Sequence, residues 1–167
     1  MNKKIILITS VLLSLTFITG CEGSLPDRTI IKAENINNKD SIDYWILEGK
    51  QNYINIKNND NKLNKTFREY VKDINKYINS DELNKSDLQD MLMKGSFIEN
   101  FGYDRMDFCR GTYLLRKEYD KSKIIYSIGN YSIKIAEYNY KRGNKYDESL
   151  EENKNKLMEN INKFYNY

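Results

Sequence analysis

The chain has 167 residues, with 27 Lys and Arg against 24 Asp and Glu and a formal charge of +3. That length suits one domain of ordinary size, and its basic residues are scattered among carboxylates rather than grouped, which argues against a nucleic-acid surface. No histidine is present, which excludes Ser-His-Asp and Cys-His catalysis and histidine-based zinc sites.

The chain opens Met1-Asn2-Lys3-Lys4, and residues 5–18 are almost wholly apolar. A short basic stretch followed by such a run is the order of a secretory signal peptide, and the run falls short of the about 20 residues that span a bilayer. It ends Ile18-Thr19-Gly20-Cys21. These residues resemble the lipobox of bacterial lipoproteins: an aliphatic residue (Ile18, where Leu is commoner), two small residues, then the cysteine. The resemblance covers the first 21 residues only. It implies cleavage before Cys21, a thioether-linked diacylglycerol on that residue and acylation of the new amino terminus. The lipid bilayer is then a partner, and two or more acyl chains give firm anchoring. Glu22 in place of Asp after the cysteine implies the outer membrane, facing the periplasm, if the cell is Gram-negative.

Loss of residues 1–20 removes Lys3 and Lys4 and leaves 147 residues at a formal charge of +1. With Cys21 lipidated, Cys109 is a single thiol in an oxidising compartment, expected to sit buried as a small apolar residue. The 14 tyrosines read chiefly as half-buried core residues with wet hydroxyls, with a sticky recognition surface as the alternative.

Residues 22–39 hold the sole proline, Pro26, and no sustained period; they read as a flexible tether. From residue 40 to 167 the pattern is helical. Ile42, Trp45, Ile46, Tyr53 and Ile56 mark a first helix, weakened at Gly49. Leu63, Phe67, Tyr70, Val71, Ile74, Tyr77 and Ile78 mark a second, ending near Asn79-Ser80. Ser86 with Gln89 reads as a capping box opening a third. Leu88, Met91, Leu92 and Phe101 give it an apolar side, and Gly102 is placed to stop it. A fourth helix is expected over residues 104–119, with Phe108, Thr112, Leu115 and Tyr119 on one face. Residues 123–141 fit either a helix or a hairpin turning at Gly129-Asn130; the period continuing from Ala136 favours the helix. Gly143-Asn144 ends it, and a last helix is expected over 146–165. The fold class is all-α: a compact domain of five to six helices with short connections.

The chemistry-bearing patterns are few. No GxGxxG or GxxxxGK[ST] occurs, and no cofactor or metal is implied. Asn58-Asn59-Asp60-Asn61 is oxygen-rich but lacks the EF-hand order and closing Glu, so it reads as a loop. Asp104 with Asp107, and Glu148 with Glu151, share helix faces as a glycosidase pair would; such pairs are routine on solvated helices. Arginine is scarce beside lysine, yet Arg105, Arg110 and Arg116 fall in one expected helix near Asp104, Asp107 and Glu118. The guanidinium fork suits carboxylates and phosphates, so these three are a candidate partner-binding group, with an internal ion-pair network as the other reading.

The pattern points to a non-enzymatic, membrane-anchored module that binds a protein in the cell envelope. An immunity or inhibitor protein and a secretion or pilus assembly accessory both fit. A carboxylate-dependent envelope hydrolase and a purely structural lipoprotein are the alternatives.

Overall fold

A computed structural model describes residues 24–31, 38–80, 82–143 and 147–167. The residues expected to form the signal peptide and lipobox, with Cys21, lie outside the described residues, as do residues 32–37 of the expected tether. Five α-helices account for most of what is described: α1 (Ile42–Ile56), α2 (Asp60–Ile78), α3 (Lys85–Cys109), α4 (Arg116–Arg142) and α5 (Glu148–Asn166), with a single 3₁₀ turn at Tyr113–Leu115 before α4. The all-α expectation is met. No strand occurs among the described residues, so residues 123–141 are helix throughout.

Side-chain caps start four of the five helices. The Ser41 hydroxyl accepts from the Asp43 amide and Asn59 Oδ1 from the Lys62 amide. Asp147 Oδ1 accepts from the Ser149 amide. Each satisfies an amide that the first turn leaves without a helical partner. The capping box expected at Ser86 and Gln89 stands two residues earlier. The Asp87 amide donates to Asn84 Oδ1 and the Asn84 amide to Asp87 Oδ2, both at 3.0 Å. Asn-x-x-Asp performs the same reciprocal satisfaction as Ser-x-x-Gln. At the far end of α4, Gly143 takes φ +70° and its amide donates to the Asn139 carbonyl at 2.8 Å, closing the helix as expected.

The expected stop at Gly102 is not there. Helix α3 runs through it to Cys109, and the helix expected over 104–119 is instead cut by the turn at 110–115. Packing explains the difference. A Cβ on Gly102 would lie 2.3 Å from the Tyr126 amide nitrogen, and one on Gly129 would lie 2.2 Å from the Glu99 nitrogen. The glycines are where two antiparallel helices touch backbone to backbone. Ser122 and Ser132 extend this close seam, both fully buried. The Ser122 and Ser132 hydroxyls donate back to the carbonyls of Glu118 and Ile128, which keeps them satisfied in a dry contact. Gly49, which reads as a weak point of α1, serves the same end: its Cβ would lie 2.0 Å from the Met93 carbonyl oxygen of α3.

Helix α3 is the centre of the domain. Thirteen of its 25 residues are buried, because α1, α2 and α4 all pack on it, while α5 closes the outside against α4 and α2. Phe97 and Phe101 carry the aromatic core. Phe97 meets Tyr70 at 5.0 Å and Tyr53 at 5.7 Å between ring centres, and Phe101 meets Phe67 at 4.9 Å.

Within residues 24–31, polar contacts tie residues 27–29 to α3 and α4, and Ile31 packs against the core. The Tyr126 hydroxyl donates to the Asp27 carbonyl at 2.7 Å. Arg28 meets Asp104 at 2.7 Å and stacks 3.8 Å over the Tyr103 ring. Thr29 Oγ1 donates at 2.7 Å to Glu99 Oε1, which also accepts from Asn130 at 3.1 Å. Glu99 is only 2 % exposed, so these donors compensate a carboxylate taken out of water. Beyond the undescribed residues 32–37, Asp40 lies beside Lys85 and Tyr140.

Several tyrosines are half-buried with bonded hydroxyls, as the core reading of their spacing expects. Burial, assisted by the charges of Glu99 and Asp27, pushes the Tyr126 hydroxyl up to about 12. Burial and the 2.5 Å hydrogen bond to Asp90 push Tyr77 up to about 12 as well. In the unfolded chain both titrate near the ordinary value of about 10. Their contribution to stability is therefore whole below about pH 10 and is lost as the pH climbs through about 12. The melting temperature should fall steadily across that window, and Tyr77→Phe with Tyr126→Phe should flatten the fall. An unchanged slope in the double variant would show that other groups set it.

Candidate functional site

Tyr53, Leu63 and Phe101 form the floor of a groove of about 430 Å³ between the α1–α2 turn and the α3–α4 turn, with Leu115 and Phe108 at its edge. Of the charged groups in its wall, Asp104, Arg105 and Glu118 are held in ion pairs, and Lys57 and Asp60 also line it. Asp104 accepts from Arg28 through Oδ1 and from the Tyr53 hydroxyl through Oδ2, at 2.7 and 2.9 Å. Arg105 meets Glu118 at 3.3 Å, with its guanidinium 5.4 Å from the centre of the Phe101 ring. Burial and the negative Asp104 together hold the Tyr53 phenol far above its ordinary value. Of the four carboxylates that could form hydrolytic pairs, only Asp104 lines this groove. Asp107 and Glu148 are exposed, and Glu151 is held by Lys154 at 3.1 Å.

The three arginines do not share a helix. Arg105 stands in α3, Arg110 caps its C-terminus and Arg116 opens α4. The turn at 110–115 nevertheless brings them to one end of the molecule. Arg105 takes the internal ion-pair role through Glu118, whereas Arg110 and Arg116 are exposed. Cys109 is buried, as its isolation suggests, and burial raises its thiol above the ordinary value. That makes it a poor nucleophile. The segment 58–61 is the α1–α2 turn, in which Asn59 caps α2.

The sequence reading missed what lies around the arginines. Phe108 is 80 % exposed and Leu114 is 90 % exposed. Phe108, expected on one face of a helix over 104–119, sits in the last turn of α3, and Leu114 sits in the turn that interrupts that expected helix. The carboxyl terminus comes to the same end: the Tyr167 hydroxyl donates to the Lys117 carbonyl at 3.2 Å, and Tyr165 is largely exposed. Among the described residues no group of three or more Cys, Asp and Glu is placed to hold a metal ion, and no helix is long and apolar enough to cross a membrane. Comparison of the chain with known protein families, with characterised proteins and with solved structures finds no match.

Proposed function

We propose that the chain is a lipid-anchored protein of the cell envelope whose helical domain works by binding another protein in the groove beside Arg105. The lipobox supplies the anchor and the address. The groove carries the binding reading: beside an apolar floor of Tyr53, Leu63 and Phe101, the wall residues Asp104, Arg105 and Glu118 are already held in ion pairs. Such a concavity accepts an apolar side chain between polar neighbours without burying an unpaired charge. A toxin that the domain caps and an envelope machine that it helps to assemble are both partners of this kind.

Two measurements test the two halves. The mature chain should carry the mass of a diacylglycerol and further acyl chains, and Cys21→Ser should leave the signal peptide uncleaved; a mature chain of unmodified mass overturns the anchor. For the groove, Leu115→Ser removes an apolar wall at the first turn of α4, where serine caps well. The wild-type chain purified from its own envelope should retain a protein at fixed stoichiometry. The variant should bind it about tenfold more weakly at an unchanged melting temperature. No retained protein, or equal retention by both, overturns the binding reading.

A further inference from the structure

The geometry points to Arg28 as a positioning residue that sets the charge preference of the groove. Seated on Asp104, it makes the groove a site for an uncharged apolar side chain of the partner and closes it to a cationic one; this rests on the groove being the binding site. Asp104 is where the N-terminal strap, residues 24–31, meets the groove. Its Oδ1 accepts from the Arg28 guanidinium at 2.7 Å, and its Oδ2 accepts from the hydroxyl of Tyr53, on the groove floor, at 2.9 Å. Arg28 itself does not line the groove. The charged residues that do are Lys57 and Arg105 against Asp60, Asp104 and Glu118, two cations for three carboxylates. Glu118 has its cation within the lining, in Arg105. Lys57 and Asp60, of opposite sign, stand at the two sides of the α1–α2 turn. Asp104 draws its cation from outside the lining, and with Arg28 the count is even.

The guanidinium is delivered to Asp104 rather than left to find it. The residues on either side of Arg28 are fixed separately. The Asp27 carbonyl accepts from the Tyr126 hydroxyl at 2.7 Å, and Thr29 Oγ1 donates to Glu99 at 2.7 Å. The planar group then lies 3.8 Å over the Tyr103 ring, with Asn100 Oδ1 at 3.5 Å. Part of the conformational entropy that an exposed ion pair gives up is thus already lost in the flanking contacts. An uncharged apolar group entering over Tyr53 and Phe101 leaves the pair in place. A cationic group finds no free carboxylate there, because it must share Asp104 with Arg28, and like charges side by side are unfavourable. With Arg28 withdrawn, Asp104 keeps the Tyr53 hydroxyl but loses its ion-pair partner, and an entering cation is favoured. The linkage is reciprocal: a cation placed on Asp104 weakens the seat of the strap by the same factor.

Benzamidine and benzamide separate the two cases, since they share a shape and differ in charge. Each is titrated into the full chain, and the methyl resonances of Leu63 and Leu115, which line the groove, report binding. The wild type should bind benzamidine no more tightly than benzamide. Arg28→Gln should prefer benzamidine by about two- to fivefold, the scale of an exposed ion pair. Arg28→Lys, which restores the charge, should behave as the wild type. Asp104→Asn added to Arg28→Gln should abolish the preference. The melting temperature is followed in parallel, because a strap residue that merely stabilised the fold would lower it and leave the ratio of the two affinities unchanged. A wild type that already prefers benzamidine, or an unchanged ratio in Arg28→Gln, overturns the proposal and leaves the groove as a site. Binding of neither compound by any of these chains overturns the groove itself, and the proposal with it.

Discussion

Gly129→Ala is expected to destabilise the domain by about 3 kcal/mol or more, although alanine is the better helix former by about 1 kcal/mol. The added methyl would lie 2.2 Å from the Glu99 nitrogen and 2.6 Å from the Gly95 carbonyl oxygen. Both are backbone atoms, so no side chain can swing aside; α3 and α4 must separate along the seam. Separation would also disturb the carboxylate of Glu99, whose partners come from the N-terminal strap and α4. Urea denaturation of Gly129→Ala and Gly111→Ala side by side gives the test. Gly111 takes φ +79° and has open space around it, so alanine there costs only the backbone conformation, about 1–2 kcal/mol. If Gly129→Ala proves no more costly than Gly111→Ala, the close seam does not constrain this fold.

Phe97→Ala should cost about 3–5 kcal/mol, a fall in melting temperature on the order of 10–20 °C. Phe97 is fully buried in the middle of α3, with Tyr53 of α1 and Tyr70 of α2 edge-on to its ring. The cavity left by alanine is walled by three helices that are themselves packed elsewhere, so it cannot close cheaply. Phe97→Leu, which keeps most of the volume, should recover more than half of the loss. Equal losses for leucine and alanine would mean that the aromatic contacts, rather than the filled volume, hold this layer together.

Much of the fold is legible from apolar spacing, and the departures have physical causes. Helix α2 shows its whole inward stripe, Leu63-Phe67-Val71-Ile74, because only one of its faces is buried. Helix α3 blurs its period because neighbours surround it, so buried Ser96, Glu99 and Asn100 fall among the apolar residues. Glycine has two meanings that a single sequence does not separate. Gly143 ends a helix by its positive φ, while Gly102 continues one by letting another helix approach. The seat of residues 24–31 is invisible to periodicity, since its hydrogen bonds reach across 70 to 99 positions. The arginine grouping survives as a place but not as a helix face. Its apolar companions Phe108 and Leu114 escaped notice because exposure of a leucine or phenylalanine is a property of the turn, which the sequence does not announce.

That long reach sets an order of assembly. Residues 24–31 are made early, yet Glu99, Asp104, Tyr126 and Asn130, which receive them, are made last but for α5. A growing chain must keep this stretch waiting, unpaired, until the α3–α4 hairpin has closed. The amino-terminal strap is thus among the last pieces to lock, and a protease added during refolding should find it cleavable well after the helices have become resistant.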